Sequence, residues 1–91
     1  MSRDVAWTAK FKRDYKLAMK RNLDMSLLDE CIRMLAARTE LPPKFRDHDL
    51  TGRWTGHREC HIQPDWLLIY RIEEDDLILV LTRTGSHSDL F

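Results

Sequence analysis

Residues 54–84 read WTGHRECHI-QPD-WLLIYRIE-EDD-LILVLTRT, and this stretch decides the fold. Three segments of strand character, 54–62, 66–73 and 77–84, are set apart by Gln63-Pro64-Asp65 and by the acidic triplet Glu74-Asp75-Asp76. Connections this short join antiparallel neighbours. Successive strand residues point to opposite faces, so Arg58, Cys60 and Ile62 share one face while His57, Glu59 and His61 share the other. Three ionisable groups do not make a core, and their face is either solvated or a site. On the last segment Ile78, Val80 and Thr82 oppose Leu77, Leu79, Leu81 and Arg83. Alternation alone leaves open which face meets the rest of the chain.

Upstream the period changes. Residues 4–7 suit a short edge strand, and Thr8 can cap a helix. Phe11, Tyr15 and Ala18 recur at helical spacing and predict a helix over 9–21. Asn22-Leu23-Asp24 turns the chain, and Leu27, Leu28, Cys31, Ile32, Leu35 and Ala36 mark the apolar stripe of a second helix over 25–38. Pro42-Pro43 stops it. Residues 47–52 read as loop, and a polar tail follows Gly85. Helices first and strands afterwards predict an α+β fold, with an amino-terminal helical hairpin packed on a small antiparallel-rich sheet. A chain of 91 residues holds one core, so a single domain spans 1–91.

Hydrophobic residues at 43% and charged residues at 33% describe an ordinary folded domain, not a disordered one. The apolar runs 66–70 and 77–81 are far shorter than the roughly 20 residues of a membrane helix, and no targeting segment is expected. Cys31 and Cys60 form no CxxC pair and read as reduced packing cysteines of a cytoplasmic protein. A formal net charge of zero argues against long-range attraction to bulk nucleic acid. Even so, Arg3, Lys10, Lys12, Arg13, Lys16, Lys20 and Arg21 crowd the first quarter, as a solvated helix face or as a surface that docks on a polyanion or an acidic partner.

The chemistry-bearing residues lie late: His48, His57, His61 and His87 all follow residue 47. Metal-free RNA cleavage needs a base for the 2′-hydroxyl, an acid for the leaving 5′-oxygen and a cation for the phosphate. Histidines with Asp65 can move the protons, Arg83 or Arg58 can hold phosphate, and Trp66 and Phe91 can stack on bases. The same residues also read as surface histidines with structural aromatics. His57 and His61 would share a metal on a helix, but on a strand they stand about 13 Å apart. No metal site and no cofactor are therefore expected. GxSxG elbows and phosphate-cradling glycine loops are absent from the sequence.

Five stretches carry a family likeness: Lys12-Arg13-Asp14-Tyr15-Lys16-Leu17-Ala18, Asp47-His48-Asp49-Leu50-Thr51-Gly52, 54–62, Pro64-Asp65-Trp66-Leu67-Leu68-Ile69-Tyr70, and the ending 83–91, RTGSHSDLF. With their spacing of DHxLxG, RxxHxxPDW and RxGxHxxLF, the chain resembles the YafQ branch of the RelE-like bacterial toxins over nearly its whole length. That resemblance implies two helices against an antiparallel-rich sheet, and cleavage of mRNA in the ribosomal A site without metal. It implies a cognate antitoxin of the DinJ or RelB type, with DNA contacted only through that antitoxin. It makes His48, His61, Asp65 and His87 the catalytic positions, and Trp66, Arg83 and Phe91 the RNA-binding ones. His87 is expected as general acid; the base stays open among Asp65, His61 and His48. Glu59, His57 and Gln63 depart from the family pattern, where an aspartate, an aromatic and an acidic residue are common. The alternative is a toxin-like module that docks on the ribosome or an antitoxin without cutting.

Overall fold

In the computed structural model, which describes residues 2–91, two side-chain caps set the helices. Strand β1 (Asp4–Trp7) ends at Thr8, whose hydroxyl accepts the Phe11 N–H at 3.0 Å and opens helix α1 (Ala9–Lys20). Asp24 accepts the Ser26 N–H at 3.1 Å and opens α2 (Met25–Ala36). Arg38, in the left-handed region at φ 63°, turns the chain out of α2. The expected helical hairpin is present.

Strands β2 (His48–Asp49), β3 (Arg58–Gln63), β4 (Trp66–Glu73) and β5 (Ile78–Gly85) join β1 in one sheet of order β1-β5-β4-β3-β2. The β3–β4 and β4–β5 pairs are antiparallel, as predicted; β2 also pairs antiparallel with β3, while β1 runs parallel to β5. Three segments differ from expectation. His48–Asp49, within the stretch read as loop, pair with β3 as strand β2. Residues 54–57 are not strand, because a 3-10 turn at Gly52–Trp54 and left-handed Gly56, φ 89°, delay β3 until Arg58. Nor is the tail irregular: His87–Leu90 forms a one-turn helix, α3, closed by a capping box between Ser86 and Asp89. Arg21 reaches across from α1 to Asp89 at 2.7 Å.

The helices cover one sheet face. Phe11, Leu28, Cys31 and Leu35 meet Cys60, Trp66, Leu68, Tyr70, Leu79 and Leu81 there, each fully buried side chain of this size contributing about 1.5–3 kcal/mol. Leu67 and Ile69 project to the other face and are buried under Leu90, Leu50 and Trp54. Strand β4 is therefore covered on both sides. A register shift between Ile69 and Tyr70 leaves Thr82 unpaired, with Leu81 opposite Tyr70 and Arg83 opposite Ile69. That extra residue separates Arg83 from the Leu79–Leu81 face to which uninterrupted alternation assigned it.

At the lower edge of the core, Asp47 accepts from the Tyr70 hydroxyl at 2.6 Å and from Arg58 Nη2 at 3.0 Å. Burial, then the Asp47 carboxylate, pushes the Tyr70 phenol well above its ordinary range. Tyr70→Phe should lower unfolding free energy by about 1.5–3 kcal/mol, the value of a bond to a charged acceptor. Urea denaturation checks this, with an unchanged slope showing that only the native contact was lost.

Candidate active site

The second sheet face carries the histidines. Cross-strand partners share a face, and the register pairs His48 with Glu59, Glu59 with Ile69, and His61 with Leu67. α3 lies over Leu67 and Ile69 through Leu90, which is 3% exposed, and so brings His87 to the same place. The three imidazoles form a row: His48 to His61 is 6.2 Å between ring centres, and His61 to His87 is 6.0 Å.

Each ring is held differently. Arg46, left-handed at φ 50°, presents its carbonyl to His48 Nδ1 at 2.7 Å. Asp65, from the β3–β4 turn, accepts from the His87 backbone N–H at 2.9 Å and from His87 Nδ1 at 2.7 Å. Both acceptors are oxygens without a hydrogen to give, so each Nδ1 carries the proton and each Nε2 is the free nitrogen of the neutral ring. The His87 backbone and side-chain bonds hold the Asp65 carboxyl below its ordinary pKa. His61 lies deeper, with an 11% exposed side chain, its Nε2 3.7 Å from Glu59 Oε1 and its Nδ1 without a hydrogen-bond partner.

Of the expected site residues, His48, His61, Asp65 and His87 come together. Phe91 joins them, 62% exposed and 6.4 Å from the His87 ring, with Trp54 6.5 Å beyond it. Trp66 does not. It is 3% exposed on the helix side, and its indole N–H donates to Thr84 Oγ1 at 3.0 Å, so neither ring face is offered to RNA. Arg83 is engaged rather than open: Asp14 of α1 takes its Nε at 2.7 Å, and this contact raises the guanidinium pKa further. Arg58, the other phosphate candidate, is tied to Asp47 and Asp49. His57 packs edge-on against Trp54 outside the row. Glu59, whose role the sequence left unassigned, is 5% exposed and sits beneath the histidines. Its strand parity with His61 and its place in the family pattern were the signals for it. Ligand atoms of Glu59, His61 and His87 all lie within 4.8 Å of one another.

Two nitrogen bases in line with a third, carboxylate-oriented imidazole can take a proton at one end of a bound group and return one at the other. An exposed aromatic wall at Phe91 suits a flat ligand.

Comparison with known proteins gives a consistent picture. The family described as "Bacterial toxin of type II toxin-antitoxin system, YafQ" matches residues 3–91. The Escherichia coli K12 "mRNA interferase toxin YafQ" is 40% identical over 92 residues, covering 100% of this chain and 98% of that protein. The toxin in the E. coli DinJ–YafQ toxin–antitoxin complex superposes with a TM-score of 0.91 at 39% identity, over 100% of this chain and 99% of that one. A metal-bound toxin from Helicobacter pylori superposes with a TM-score of 0.91 at 41% identity over all of both chains.

The burial of Trp66 yields a prediction opposite to a stacking role. Trp66→Phe should lose about 1–2 kcal/mol of stability with the indole bond to Thr84, and RNA affinity of the folded variant should stay close to the parent's. Thermal unfolding and RNA binding on the same sample test this. Unchanged stability with weakened RNA binding would restore the stacking role.

Proposed function

Because the chain belongs to the YafQ family of type II toxin–antitoxin toxins, we propose that it is an mRNA endoribonuclease that cuts message on the ribosome without a metal, and that it is restrained by a DinJ-like antitoxin. The observation that carries this reading is the histidine row with Asp65 behind His87. The 2′-oxygen attacks the adjacent phosphorus, the P–O5′ bond breaks, and the products are a 2′,3′-cyclic phosphate and a 5′-hydroxyl end. For this step His87 must enter as the imidazolium: it keeps its Nδ1 proton on Asp65 and gives its Nε2 proton to the leaving 5′-oxygen, ending as the neutral ring. Asp65 accepts two bonds from His87, which fits an orienting role better than that of the attacking base. That leaves His48 and His61 to take the 2′-proton and to face the phosphate. Phe91 supplies a wall for a base beside the scissile bond. Arg83 reaches phosphate by releasing Asp14 or by sharing it.

The work site is the cytoplasm, where message is translated. Lys10, Lys12, Arg13, Lys16 and Lys20 of α1 are the docking surface for ribosomal RNA.

His87→Ala should slow cleavage of translated mRNA by roughly 10²- to 10⁴-fold, the contribution of a lost general acid. His57→Ala, outside the row, should lose far less. Cyclic-phosphate ends on the fragments identify the chemistry, whereas stalled ribosomes on intact message would mean a binding module instead. Lys12→Glu with Lys16→Glu should weaken cutting on ribosomes at unchanged thermal stability, and equal cutting of naked and translated message would remove the docking role.

A further inference from the structure

Strand β2 pairs with β3 at Glu59 and Arg58 only, so among the described residues no strand flanks β3 on that edge from Cys60 onward. The 3-10 turn Pro43–Phe45 packs alongside instead, and α2 closes the gap from the helix side. What remains between them is a cavity of about 310 Å³ with apolar walls from Leu27, Phe45, Ile62 and Pro64. That is the lower end of the range for small-ligand pockets, room for one flat heterocycle rather than a length of chain. The cavity joins the histidine row at two points. His61, the middle ring, lines it, and so does Arg46, whose carbonyl holds His48 Nδ1. Its charged border is cationic. Lys44 and Arg46 are exposed there against the one carboxylate of Glu30, and none of the three has an ion pair among the described residues. His87 and Phe91 stand at the other end of the row.

We propose that this cavity takes the base of the nucleotide before the cut, with Lys44 and Arg46 at the phosphates that precede it, and that Gln63 reads the edge of that base. The assignment rests on the nuclease reading above. There His87 serves the leaving 5′-oxygen, which belongs to the nucleotide after the cut, while the attacking 2′-oxygen belongs to the nucleotide before it. The row therefore has a direction, and the cavity lies at its 2′-oxygen end. Contact with the flat face of a base tolerates any sequence, so preference falls to the polar group at the rim. Gln63 lines the cavity and is exposed, and its amide sets a donor beside an acceptor. It is also one of the positions where this chain leaves the pattern it resembles, in which an acidic residue, an acceptor only, is common.

Trinucleotides with deoxyribose at their first two positions have no attacking oxygen, so they bind without being cut. Added to nitrogen-15-labelled toxin, they should shift the amide signals of Leu27, Phe45 and Ile62. Abasic sugars at the first two positions should abolish those shifts and weaken binding by roughly 5- to 150-fold, the value of one stacked base. An abasic third position should leave the shifts in place. On translated message, Gln63→Glu should raise the share of cuts after guanosine, whose N1–H and amino group both donate to a carboxylate. The position is exposed, so the core is untouched. Binding that ignores the first two bases, or shifts confined to the histidine row and Phe91, overturns the pocket. Shifts at these amides from a DinJ-like antitoxin, with none from RNA, give the cavity to the antitoxin and overturn it as well. An unchanged distribution of cuts in Gln63→Glu overturns the role of Gln63. A protein that binds the trinucleotides in this manner yet leaves message intact keeps the pocket and sinks the nuclease reading, so the two failures are distinguishable.

Discussion

Register between β3 and β4 is the constraint on which everything else rests. Cys60 opposite Leu68 faces the helices, while Glu59 opposite Ile69 and His61 opposite Leu67 face away. A slip of one residue would exchange the two sets. It would drive a carboxylate and an imidazole against Phe11 and Leu28, and turn Cys60 out of the core. Burying such groups without partners is penalised by several kcal/mol, a large share of what a domain this small can muster. The same alternation that closes the core thus places the chemistry, and the two cannot be varied independently. Central β4 stiffens the arrangement because Trp66–Tyr70 are buried in succession, on both faces.

Against that rigid sheet, His87 is carried by one turn of helix. α3 has four residues, too few for intrinsic stability. It is fixed by four contacts: Leu90 in the second apolar cluster, the Ser86–Asp89 capping box, the Arg21 bridge to Asp89, and the two His87 bonds to Asp65. Arg21 first, then the Ser86 bonds, hold the Asp89 carboxyl far below its usual range. Its contribution is therefore complete above the ordinary aspartate pKa and is lost only as pH falls through the depressed folded value. At neutral pH the Arg21 bridge is therefore intact, and Leu90 stays packed with Leu67 and Ile69.

How much of this was legible in the sequence follows from the range of each signal. Helix caps at Thr8 and Asp24, the 66–73 strand and the parity of Cys60 against His61 are local and could be read directly. Residues 54–57 misled because a tryptophan and a threonine imitate strand composition while Gly56 bends the backbone away. The Thr82 bulge is invisible to alternation, so Arg83 was put on the wrong face. Parallel pairing of β1 with β5 depends on packing across the whole chain. The burial of Trp66 was not legible, because in a strand covered on both sides alternation does not separate an inward face from an outward one. The histidine row was legible only as a set of candidates, since its assembly depends on α3, which the polar tail concealed.

Net charge, too, hid more than it showed. A formal charge of zero suggests a surface without bias, yet the ions are sorted by type. Several arginines are drawn into pairs within the fold: Arg83 with Asp14, Arg58 with Asp47 and Asp49, Arg21 with Asp89, and Arg3 and Arg38 with Asp76. Planar guanidinium matches carboxylate geometry, so arginine wins these contacts. Lys10, Lys12, Lys16 and Lys20 are left on α1 with no ion pair among the described residues, and much of the acidity is already spent within the fold. The Asp76 end of the acidic run is likewise neutralised by Arg3 and Arg38. What a polyanion meets at short range is thus a lysine-bearing helix rather than a neutral protein. Its attraction is confined to about a Debye length, roughly 8 Å at physiological salt. Such a surface adds little to capture of free RNA from a distance and more once a large, shaped partner has brought its phosphates close.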